Sequence, residues 1–362
     1  MSQKHLLISA AGTGGHVMPG VAVARELARG GWRISWIGTQ TGMEGALVAR
    51  DGSAFTGLDF QGVRGKGLLG MVKGMVKLVL ASRRATEVIR TMKPDVLFTT
   101  GGYVAVPVCN GARKNHTPVV LMNCDADLLL SSKMVMDQAR AVACGFAGSA
   151  RSAANGKGSI TGNPVRAEIE ALASPEERLA GRTGPLRLLA FGGSLGAQVL
   201  NDTVPRALAL FDDEHRPVVV HQTGAKNIDK VKALYDELGI KAEVTGFIDD
   251  MAGAYRESDI VLCRSGAMTV SELCAAGAAS ILVPFVVKTT KHQLGNARYM
   301  QQNGAAVLLE QEHLTPEHLF GILMSMKREK ILGMAVKARS LARLQAASRV
   351  ADMIEEVASG AK

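Results

Sequence analysis

Short apolar runs alternate with longer amphipathic segments along most of the chain. The first apolar run covers residues 6–9, and behind it apolar residues recur at helical spacing, namely Val21, Ala24, Leu27 and Ala28. Between the two lies the glycine-rich stretch 12–16. The pattern predicts a strand-to-helix turn there, which is a position where α/β proteins bind ligands.

The same opening pattern occurs a second time after Pro185. The stretch LRLLAFGGSLGAQVLNDTVPRAL again gives an apolar run, a glycine-rich turn and an amphipathic segment. Between the two copies, Asn163-Pro164 interrupts regular structure and the following residues are polar and charged, as in a linker. The sequence therefore predicts two domains, residues 1–163 and residues 164–340.

Each half continues as an alternation of apolar runs and helical segments. The runs are WRISWIG, PDVLFTT and TPVVLM in the first half, and RPVVVHQ, AEVTGF, DIVLCR and ASILVPF in the second. This alternation is typical of parallel sheets with helical crossovers, so the predicted fold class is α/β, with two doubly wound domains. A last amphipathic helix over Arg339–Val357 is predicted, and the C-terminal helical segment of about residues 341–362 is expected to pack back on the first domain. A plain final helix of the second domain fits equally well.

Composition narrows the class of protein. The chain has 362 residues, of which 47% are hydrophobic, enough for two large cores. Its five cysteines include no C-x-x-C pair, which fits a reducing cytoplasm. We expect no signal peptide and no membrane span, because the only apolar cluster near the N-terminus is short and a glycine-rich turn follows it.

The charge is concentrated in the first half. Residues 1–163 contain 19 lysines and arginines against 9 aspartates and glutamates, whereas residues 164–362 contain 23 against 24. A basic half suits a nucleic acid, an anionic membrane or an anionic substrate. Four tyrosines and two tryptophans offer few stacking platforms, and no nucleic-acid-binding motif occurs, so nucleic acid is not expected as a partner.

The first glycine-rich turn matches no common nucleotide fingerprint. The first has the order Gly12-Thr13-Gly14-Gly15-His16 with Val17 where a dinucleotide fingerprint needs its last glycine, and no Gly-Lys-Ser/Thr follows. In the second half, Ser265-Gly266 precedes a helical segment, and a helix N-terminus binds phosphate through its free N–H groups and its dipole.

Further along the same helical segment, Glu272 is placed to accept hydrogen bonds from the two hydroxyls of a ribose. Taken alone, Ser-Gly is more often only a helix cap, and Glu272 only a solvated residue. Downstream, His292, Gln293 and Asn296 share one face of a helical turn without the geometry of metal ligands. An exposed, amide-rich turn is the plainer interpretation of that segment.

Eight segments, in order over nearly the whole chain, resemble the MurG family, the N-acetylglucosaminyltransferases of bacterial peptidoglycan synthesis. They are AGTGGHVMPGVAVA, GVRGKGL, TTGGYVAVP, TGNPVR, FGGSLGA, VTGFIDDM, CRSGAMTVSE and HQLGNA. The resemblance implies a GT-B fold, with two Rossmann-like domains. It also implies a metal-independent, inverting transfer of N-acetylglucosamine from UDP-GlcNAc to the lipid-linked muramoyl-peptide acceptor, lipid I. No cofactor is implied, and the expected location is peripheral, at the cytoplasmic face of the membrane.

The resemblance also implies which residues bind each substrate. On the donor side, the family's sites correspond to Arg166, Ser194, the backbone of Phe247-Ile248 around uracil, Ala267-Met268 at the diphosphate, Glu272 at the ribose, and Gln293 with Asn296 at the sugar. On the acceptor side they correspond to Thr13, Gly14, Gly15 and His16, with Tyr103 beside them and Asp125 in the altered segment described below.

His16 is the candidate catalytic residue. A histidine suits the task of taking the acceptor hydroxyl's proton because its unperturbed pKa is near ~6.5 and part of it is neutral at working pH. A role limited to orienting the acceptor stays open, because one histidine does not identify a base by itself.

The chain departs from the family at Met122, Asn123, Cys124 and Asp125, where most members have His-Glu-Gln-Asn. Leu195 and Ala11 are smaller departures. Asp125-Ala126-Asp127 spells D-x-D, a metal-binding signature of another glycosyltransferase fold, but three residues are a weak pattern and the two-domain order argues against a metal. The altered segment leaves two alternatives open: a transferase acting on another acceptor, or a non-catalytic protein that binds a sugar nucleotide or a lipid.

A basic amphipathic segment in the first half is a candidate for membrane contact. After the glycine-rich loop, Lys73, Lys77 and Arg84 share one face of a predicted helix, and the apolar side consists of Leu69, Val72, Val76, Val79 and Leu80. Such a helix can lie on an anionic membrane surface. An ordinary helix with the apolar side in the core is the alternative.

Overall fold

The chain forms two compact units in a computed structural model, which describes residues 3–11, 14–42, 44–49, 52–60, 67–148, 154–193, 196–287 and 291–360. One unit consists of Met1–Pro164 together with Gln345–Lys362, and the other of Val165–Leu344. Each has its own parallel sheet and its own buried core.

The first unit contains a seven-stranded parallel sheet in the order β3-β2-β1-β4-β5-β6-β7. Its strands are β1 His5–Ser9, β2 Arg33–Thr39, β3 Ala54–Leu58, β4 Val96–Thr99, β5 Val119–Asn123, β6 Ala141–Cys144 and β7 Gly158–Ile160. Its helices are Gly14–Arg29, Glu44–Ala49, Gly67–Met92, Ala105–Lys114, Leu130–Val135 and Ala346–Ala358, with a 3-10 turn at Met136–Gln138. Strands β1, β4, β5 and β6 are buried at every position, as expected for the centre of a parallel sheet covered on both faces.

The second unit contains a six-stranded parallel sheet in the order β10-β9-β8-β11-β12-β13. Its strands are β8 Arg187–Phe191, β9 Val218–Gln222, β10 Glu243–Thr245, β11 Ile260–Cys263, β12 Ser280–Leu282 and β13 Ala306–Leu308. Its helices are Ala167–Glu170, Pro175–Leu179, Gln198–Leu208, Ile228–Glu237, Met251–Glu257, Ala267–Ala276, His292–Gln302, Pro316–Met324 and Arg328–Ser340, with 3-10 turns at Ala225–Asn227 and Gln311–His313.

These two sheets confirm the predicted fold class, since both are doubly wound. In such a sheet, ligands bind outside the carboxyl ends of the strands where the strand order reverses. The reversal lies between β1 and β4 in the first unit and between β8 and β11 in the second. Both glycine-rich turns found in the sequence directly follow one of these strands, β1 and β8.

The predicted last helix is wrong in its bounds. The segment 339–357 does not form one helix, because Gln345 has a left-handed backbone with φ of 58°, which a right-handed helix cannot continue through. One helix ends at Ser340 and the next begins at Ala346. The latter packs within the first unit, where the indole of Trp32 donates to Glu355 at 3.3 Å and Arg349 donates to the Thr161 carbonyl at 3.3 Å.

All five cysteines are free and buried. They are Cys109, Cys124, Cys144, Cys263 and Cys274. Burial raises the pKa of Cys109 to about 12 and raises the pKa of Cys274 to about 12, and it raises those of Cys124 and Cys263 further. These four thiols therefore stay protonated, and all five cysteines act as small apolar core residues.

Candidate functional site

The N-terminus of the helix Ala267–Ala276 lies at the strand reversal of the second unit, directly after β11. Its N-cap residue, Gly266, has an extended backbone and no side chain caps the helix. The N–H groups of the first turn, including those of Ala267 and Met268, therefore have no side-chain acceptor at the cap. Together with the helix dipole they form a site suited to an anion such as a diphosphate.

Gly266 of the Ser-Gly pair is the N-cap residue of this helix, as the plainer interpretation has it, but the Ser265 side chain does not cap the helix. Its hydroxyl instead donates to the Gln293 carbonyl at 2.8 Å. The amide of Asn296 donates to the Ser265 carbonyl at 3.1 Å, and the Gln293 side-chain oxygen accepts from the Phe285 N–H at 2.9 Å. These bonds join the turn before the helix to the segment that follows β12.

The expected alternative for residues 292–296, an exposed turn, is wrong. They begin the helix His292–Gln302, and Asn296 is fully buried. In this structure its amide holds the turn at Ser265. The assignment of Gln293 and Asn296 to the donor sugar stays a prediction.

Glu272 lies in the second turn of the helix Ala267–Ala276 with only 15% of its side chain exposed, so the interpretation as a solvated residue is wrong. Its Oε1 accepts from Nε and Nη2 of Arg166 at 3.2 and 2.9 Å. Its Oε2 accepts from the hydroxyl of Tyr255 at 3.3 Å. Burial raises the pKa of Glu272, while the Arg166 charge and the hydrogen bonds from Arg166 and Tyr255 oppose that rise.

The glycine-rich turn after β8 lies at the same edge of the sheet. Gly193 and Gly196 have positive φ angles of 87° and 75°, and a Cβ at Gly196 would collide with the Thr223 carbonyl. The turn therefore needs glycine at this position for both its backbone angle and its close approach to the end of β9. The predicted donor residue Ser194 and the neighbouring Leu195 lie outside the described residues.

Phe247 and Ile248 follow the edge strand β10. The Phe247 carbonyl accepts from the Thr245 hydroxyl at 2.8 Å, and its ring is 59% exposed. An exposed aromatic ring on a loop at the carboxyl edge of the sheet is available to contact a base. The assignment of these residues to uracil stays a prediction.

His16 lies in the first unit, at the strand reversal between β1 and β4. It belongs to the first turn of the helix Gly14–Arg29, so the expectation of a loop through Gly14, Gly15 and His16 is wrong. Its Nδ1 lies 3.1 Å from the Thr100 carbonyl oxygen. A carbonyl can only accept, so Nδ1 carries the proton in the neutral ring and Nε2 has the free lone pair. Thr13 lies outside the described residues.

Tyr103 follows two glycines with left-handed backbones, Gly101 and Gly102, whose φ angles are 85° and 78°. A Cβ at Gly102 would lie 2.7 Å from the Ala11 carbonyl oxygen. This close approach places the turn before Tyr103 against Ala11, which directly precedes the first glycine-rich stretch. Tyr103 itself is partly buried, with its ring 6.3 Å from that of Phe60.

The altered segment 122–125 is buried throughout. The amide of Asn123 donates to the carbonyls of Asp125 and Asp127 at 2.7 and 3.2 Å and so closes the turn after β5. Asp125 is 4% exposed, whereas Asp127 is exposed. Within the part of the chain that the structure describes, no three His, Cys, Asp or Glu residues are grouped as metal ligands would be.

The helix Gly67–Met92 exposes large apolar side chains. Its exposed apolar residues are Val72, Met75, Val76, Val79 and Leu80, between 48% and 61% exposed. The alternative interpretation, in which the predicted apolar side faces the core, is therefore wrong for Val72, Val76, Val79 and Leu80. The side chain of Leu69 lies outside the described residues. The buried side carries the small residues Ala81 and Ala85, followed by Val88 and Ile89, and Gly111 of the next helix approaches the Ala85 backbone closely. None of the described helices has the length and apolarity needed to cross a bilayer.

Sequence analysis did not identify three contacts of candidate site residues. These are the contacts of Tyr255 with Glu272, of Thr100 with His16 and of Asn123 with Asp125. Tyr255 is 17 residues from Glu272, and Thr100 is 84 residues from His16. No local spacing joins such pairs, because the sheet topology brings them together. The one sequence feature that could have pointed to Thr100 as a site residue is its position at the end of an apolar run, directly before the GGY turn.

Two family models match the chain, one for each unit's sheet. The glycosyltransferase family 28 N-terminal domain matches residues 6–144, and the glycosyltransferase family 28 C-terminal domain matches residues 187–357. Together they cover most of the chain.

Named relatives extend over nearly the whole length. A protein of Methylibium petroleiphilum, named UDP-N-acetylglucosamine–N-acetylmuramyl-(pentapeptide) pyrophosphoryl-undecaprenol N-acetylglucosamine transferase, is 49% identical over 99% of this chain and 98% of its own. A protein of the same name from Chromobacterium violaceum is 48% identical over 99% of both chains. A crystal structure of Acinetobacter baumannii MurG superposes with a TM-score of 0.85 at 34% identity, covering 98% of this chain and 99% of that one.

Proposed function

The chain belongs to glycosyltransferase family 28, and on this premise we propose that it transfers N-acetylglucosamine from UDP-GlcNAc to lipid I, with inversion at the anomeric carbon. The observation that carries the proposal is the uncapped helix N-terminus at Ala267 with the Glu272 carboxylate on the same helix. An anion site and a ribose acceptor on one helix suit a nucleoside diphosphate sugar.

In the proposed donor complex, the N–H groups of Ala267 and Met268 bind the diphosphate and Glu272 accepts from the ribose hydroxyls. The same helix N-terminus then stabilises the negative charge that develops on UDP as it leaves. Arg166 adds a cation whose side chain is 45% exposed and so can turn toward the phosphates. Phe247, Gln293 and Asn296 complete the donor set with Ser194.

In the proposed acceptor complex, the first unit, residues 1–163 with the C-terminal helix, binds the lipid-linked substrate. The acceptor hydroxyl attacks the anomeric carbon, the bond to UDP breaks, and Nε2 of His16 takes the hydroxyl proton. The Thr100 carbonyl supports this role because it fixes the proton on Nδ1 and leaves Nε2 as the acceptor. Gly14, Gly15 and Tyr103 line this side together with Thr13 and Asp125.

We further propose that the helix Gly67–Met92 attaches the protein to the cytoplasmic face of the membrane. Its exposed apolar stripe borders the basic stripe of Lys73, Lys77 and Arg84, which is the arrangement of an interfacial helix. Each basic residue near an anionic leaflet contributes ~1 kcal/mol, so three contribute about 3 kcal/mol, enough for reversible attachment.

Co-sedimentation with vesicles tests this attachment. Binding is expected to need anionic lipid, to weaken with salt, and to fall when Val76 and Val79 are replaced by Asp. The matched control is Val218→Asp in the second unit, because Val218 is similarly exposed at 59%, against 54% and 48% for Val76 and Val79. Binding that ignores salt and anionic lipid, or that falls equally in the control, would refute the membrane proposal.

One transfer assay tests the activity. Radiolabelled UDP-GlcNAc is incubated with a lipid I analogue and, in parallel, with other lipid-linked and soluble acceptors. Transfer to the lipid I analogue supports the proposal. Transfer only to another acceptor would indicate that the protein has a different acceptor specificity, with the altered segment 122–125 as its cause. UDP-GlcNAc binding without any transfer would indicate a non-catalytic protein.

A further inference from the structure

Among the described residues, the carboxylate of Glu272 has two hydrogen-bonding partners of different kinds. Arg166 reaches Oε1 from a side chain that is 45% exposed, whereas Tyr255 reaches Oε2 from a side chain that is fully buried. A carboxylate offers about four lone-pair sites. Arg166 uses two of them and Tyr255 one, so two ribose hydroxyls cannot both be accepted until Arg166 releases at least one of its bonds.

Tyr255 cannot leave in the same way. Its ring packs edge-on against Phe191 with centroids 6.4 Å apart, and its backbone carbonyl accepts from Arg178 at 3.1 Å and from the Ser258 hydroxyl at 3.2 Å. The phenol therefore has one position, and its hydroxyl hydrogen fixes the plane of the carboxylate.

We propose that Tyr255 is a positioning residue for nucleotide binding: its buried hydroxyl holds Oε2 of Glu272 so that the carboxylate faces the ribose when Arg166 turns away. This rests on the proposed assignment of Glu272 to the ribose. Tyr255 touches no substrate in this proposal and acts only through Glu272.

The influences on the pKa of Glu272 agree with a hydrogen bond from Tyr255 to its carboxylate. Among the described residues, the titratable and charged groups that interact with Glu272 are Arg166, Tyr255 and Cys263. Burial raises the pKa of Glu272, and the hydrogen bond from Tyr255 is one of the contributions that lower it. Removing that hydroxyl is therefore expected to raise the pKa of Glu272 and to move the acid limb of nucleotide binding to higher pH.

The test compares UDP with 2′,3′-dideoxy-UDP by calorimetry in the full chain. The wild type is expected to prefer UDP by more than tenfold. Tyr255→Phe should weaken UDP binding by ~3- to 10-fold, the scale of one ordinary hydrogen bond, because the hydroxyl acts on the ribose only through Glu272, and it should leave dideoxy-UDP binding within twofold. In a Glu272→Gln background, Tyr255→Phe should have no further effect on UDP.

Tyr235→Phe is the matched control. It removes the hydroxyl of another buried tyrosine in the same unit, which contacts His221 at 3.0 Å, and should change neither affinity nor its pH dependence.

The outcomes separate the two hypotheses. A wild type that binds UDP and dideoxy-UDP equally would overturn the ribose assignment itself. A wild type that discriminates, with Tyr255→Phe discriminating equally well and with the same acid limb, would overturn only the role of Tyr255. If Tyr255→Phe lowers both affinities alike, the residue is merely structural and the proposal is also overturned. Should that variant not fold, fluorotyrosine at position 255 replaces it: its hydroxyl is kept but is a stronger donor, so the acid limb of UDP binding should move to lower pH, and an unmoved acid limb would overturn the role of Tyr255.

Discussion

Replacing His16 separates proton transfer from mere orientation. The Nδ1 hydrogen bond to Thr100 leaves Nε2 of His16 as an acceptor. A glutamine side chain at this position can replace the hydrogen bonds of the ring, but its amide cannot act as a base. We therefore compare His16→Ala with His16→Gln. If His16 is the general base, both variants should lose ~10²–10⁴ in turnover, because that is the usual contribution of general base catalysis.

This loss converts to about 2.7–5.5 kcal/mol of activation free energy, at ~1.36 kcal/mol for each factor of ten. The lost hydrogen bond to Thr100 should lower the free energy of unfolding by only ~1 kcal/mol, since it is a single, partly buried bond. The effect on rate should thus greatly exceed the effect on folding.

The assay is transfer from labelled UDP-GlcNAc to a lipid I analogue at saturating substrates, with UDP affinity measured by calorimetry on the same samples. UDP affinity should stay within about threefold, below the ~1.4 kcal/mol that marks a tenfold effect, because His16 belongs to the first unit and no donor residue is changed. A Gln variant that retains turnover within tenfold would refute the base and leave an orienting role. Normal turnover in the Ala variant would refute both.

Three further changes test other parts of the molecule. Glu272→Ala should weaken UDP binding by about 1.5–3 kcal/mol, because the ribose loses a charged acceptor, and unchanged UDP affinity would refute the assignment of Glu272 to the ribose. A chelator should leave transfer intact. Replacing residues 122–125 by His-Glu-Gln-Asn should change the rate of transfer but leave UDP affinity within about threefold. Asn123→Glu alone should lower the free energy of unfolding by ~1–3 kcal/mol, because a carboxylate would face the two carbonyls that the amide now binds. Burial lowers the pKa of His221 to about 4, so as the pH falls the unfolded chain binds this proton before the folded chain does. The free energy of unfolding should therefore decrease as the pH is lowered from ~6.5 to about 4, by at most ~1.4 kcal/mol per pH unit. His221→Gln should make the free energy of unfolding less dependent on pH in this range.

The sequence was sufficient for the two sheets but not for all of their strands. Strands β3, β6, β7 and β13 were missed because they are short and their segments, AFTGL, AVAC, GSI and AVL, are rich in small residues. Such segments become strands because neighbouring strands offer them partners, as β5 does for β6. Local propensity does not contain that information.

The donor helix was predicted more completely than its surroundings. A glycine before an apolar helical repeat is a local pattern, so the uncapped N-terminus at Gly266 could be anticipated. The burial of Asn296 could not, because it depends on the turn at Ser265, 31 residues away.

The helix Gly67–Met92 shows why amphipathicity alone does not identify the buried side. Between residues 67 and 82 the only charged residues are Lys73 and Lys77, so charge does not distinguish the other two sides, and the larger residues would ordinarily be assigned to the core. The side that carries Ala81 and Ala85 is buried instead, because these small residues allow the next helix to approach at Gly111. That choice is made by helix packing and is invisible in the periodicity.

The burial of all five thiols makes the chain a convenient host for site-specific labels. Maleimides react with thiolates, and a native thiol whose pKa burial raises to about 12, as for Cys109, supplies almost none at neutral pH. A cysteine introduced on the surface, for example at Val79, would therefore outcompete the native thiols without their removal. An environment-sensitive fluorophore at that position would report directly whether this side of the molecule meets lipid or water.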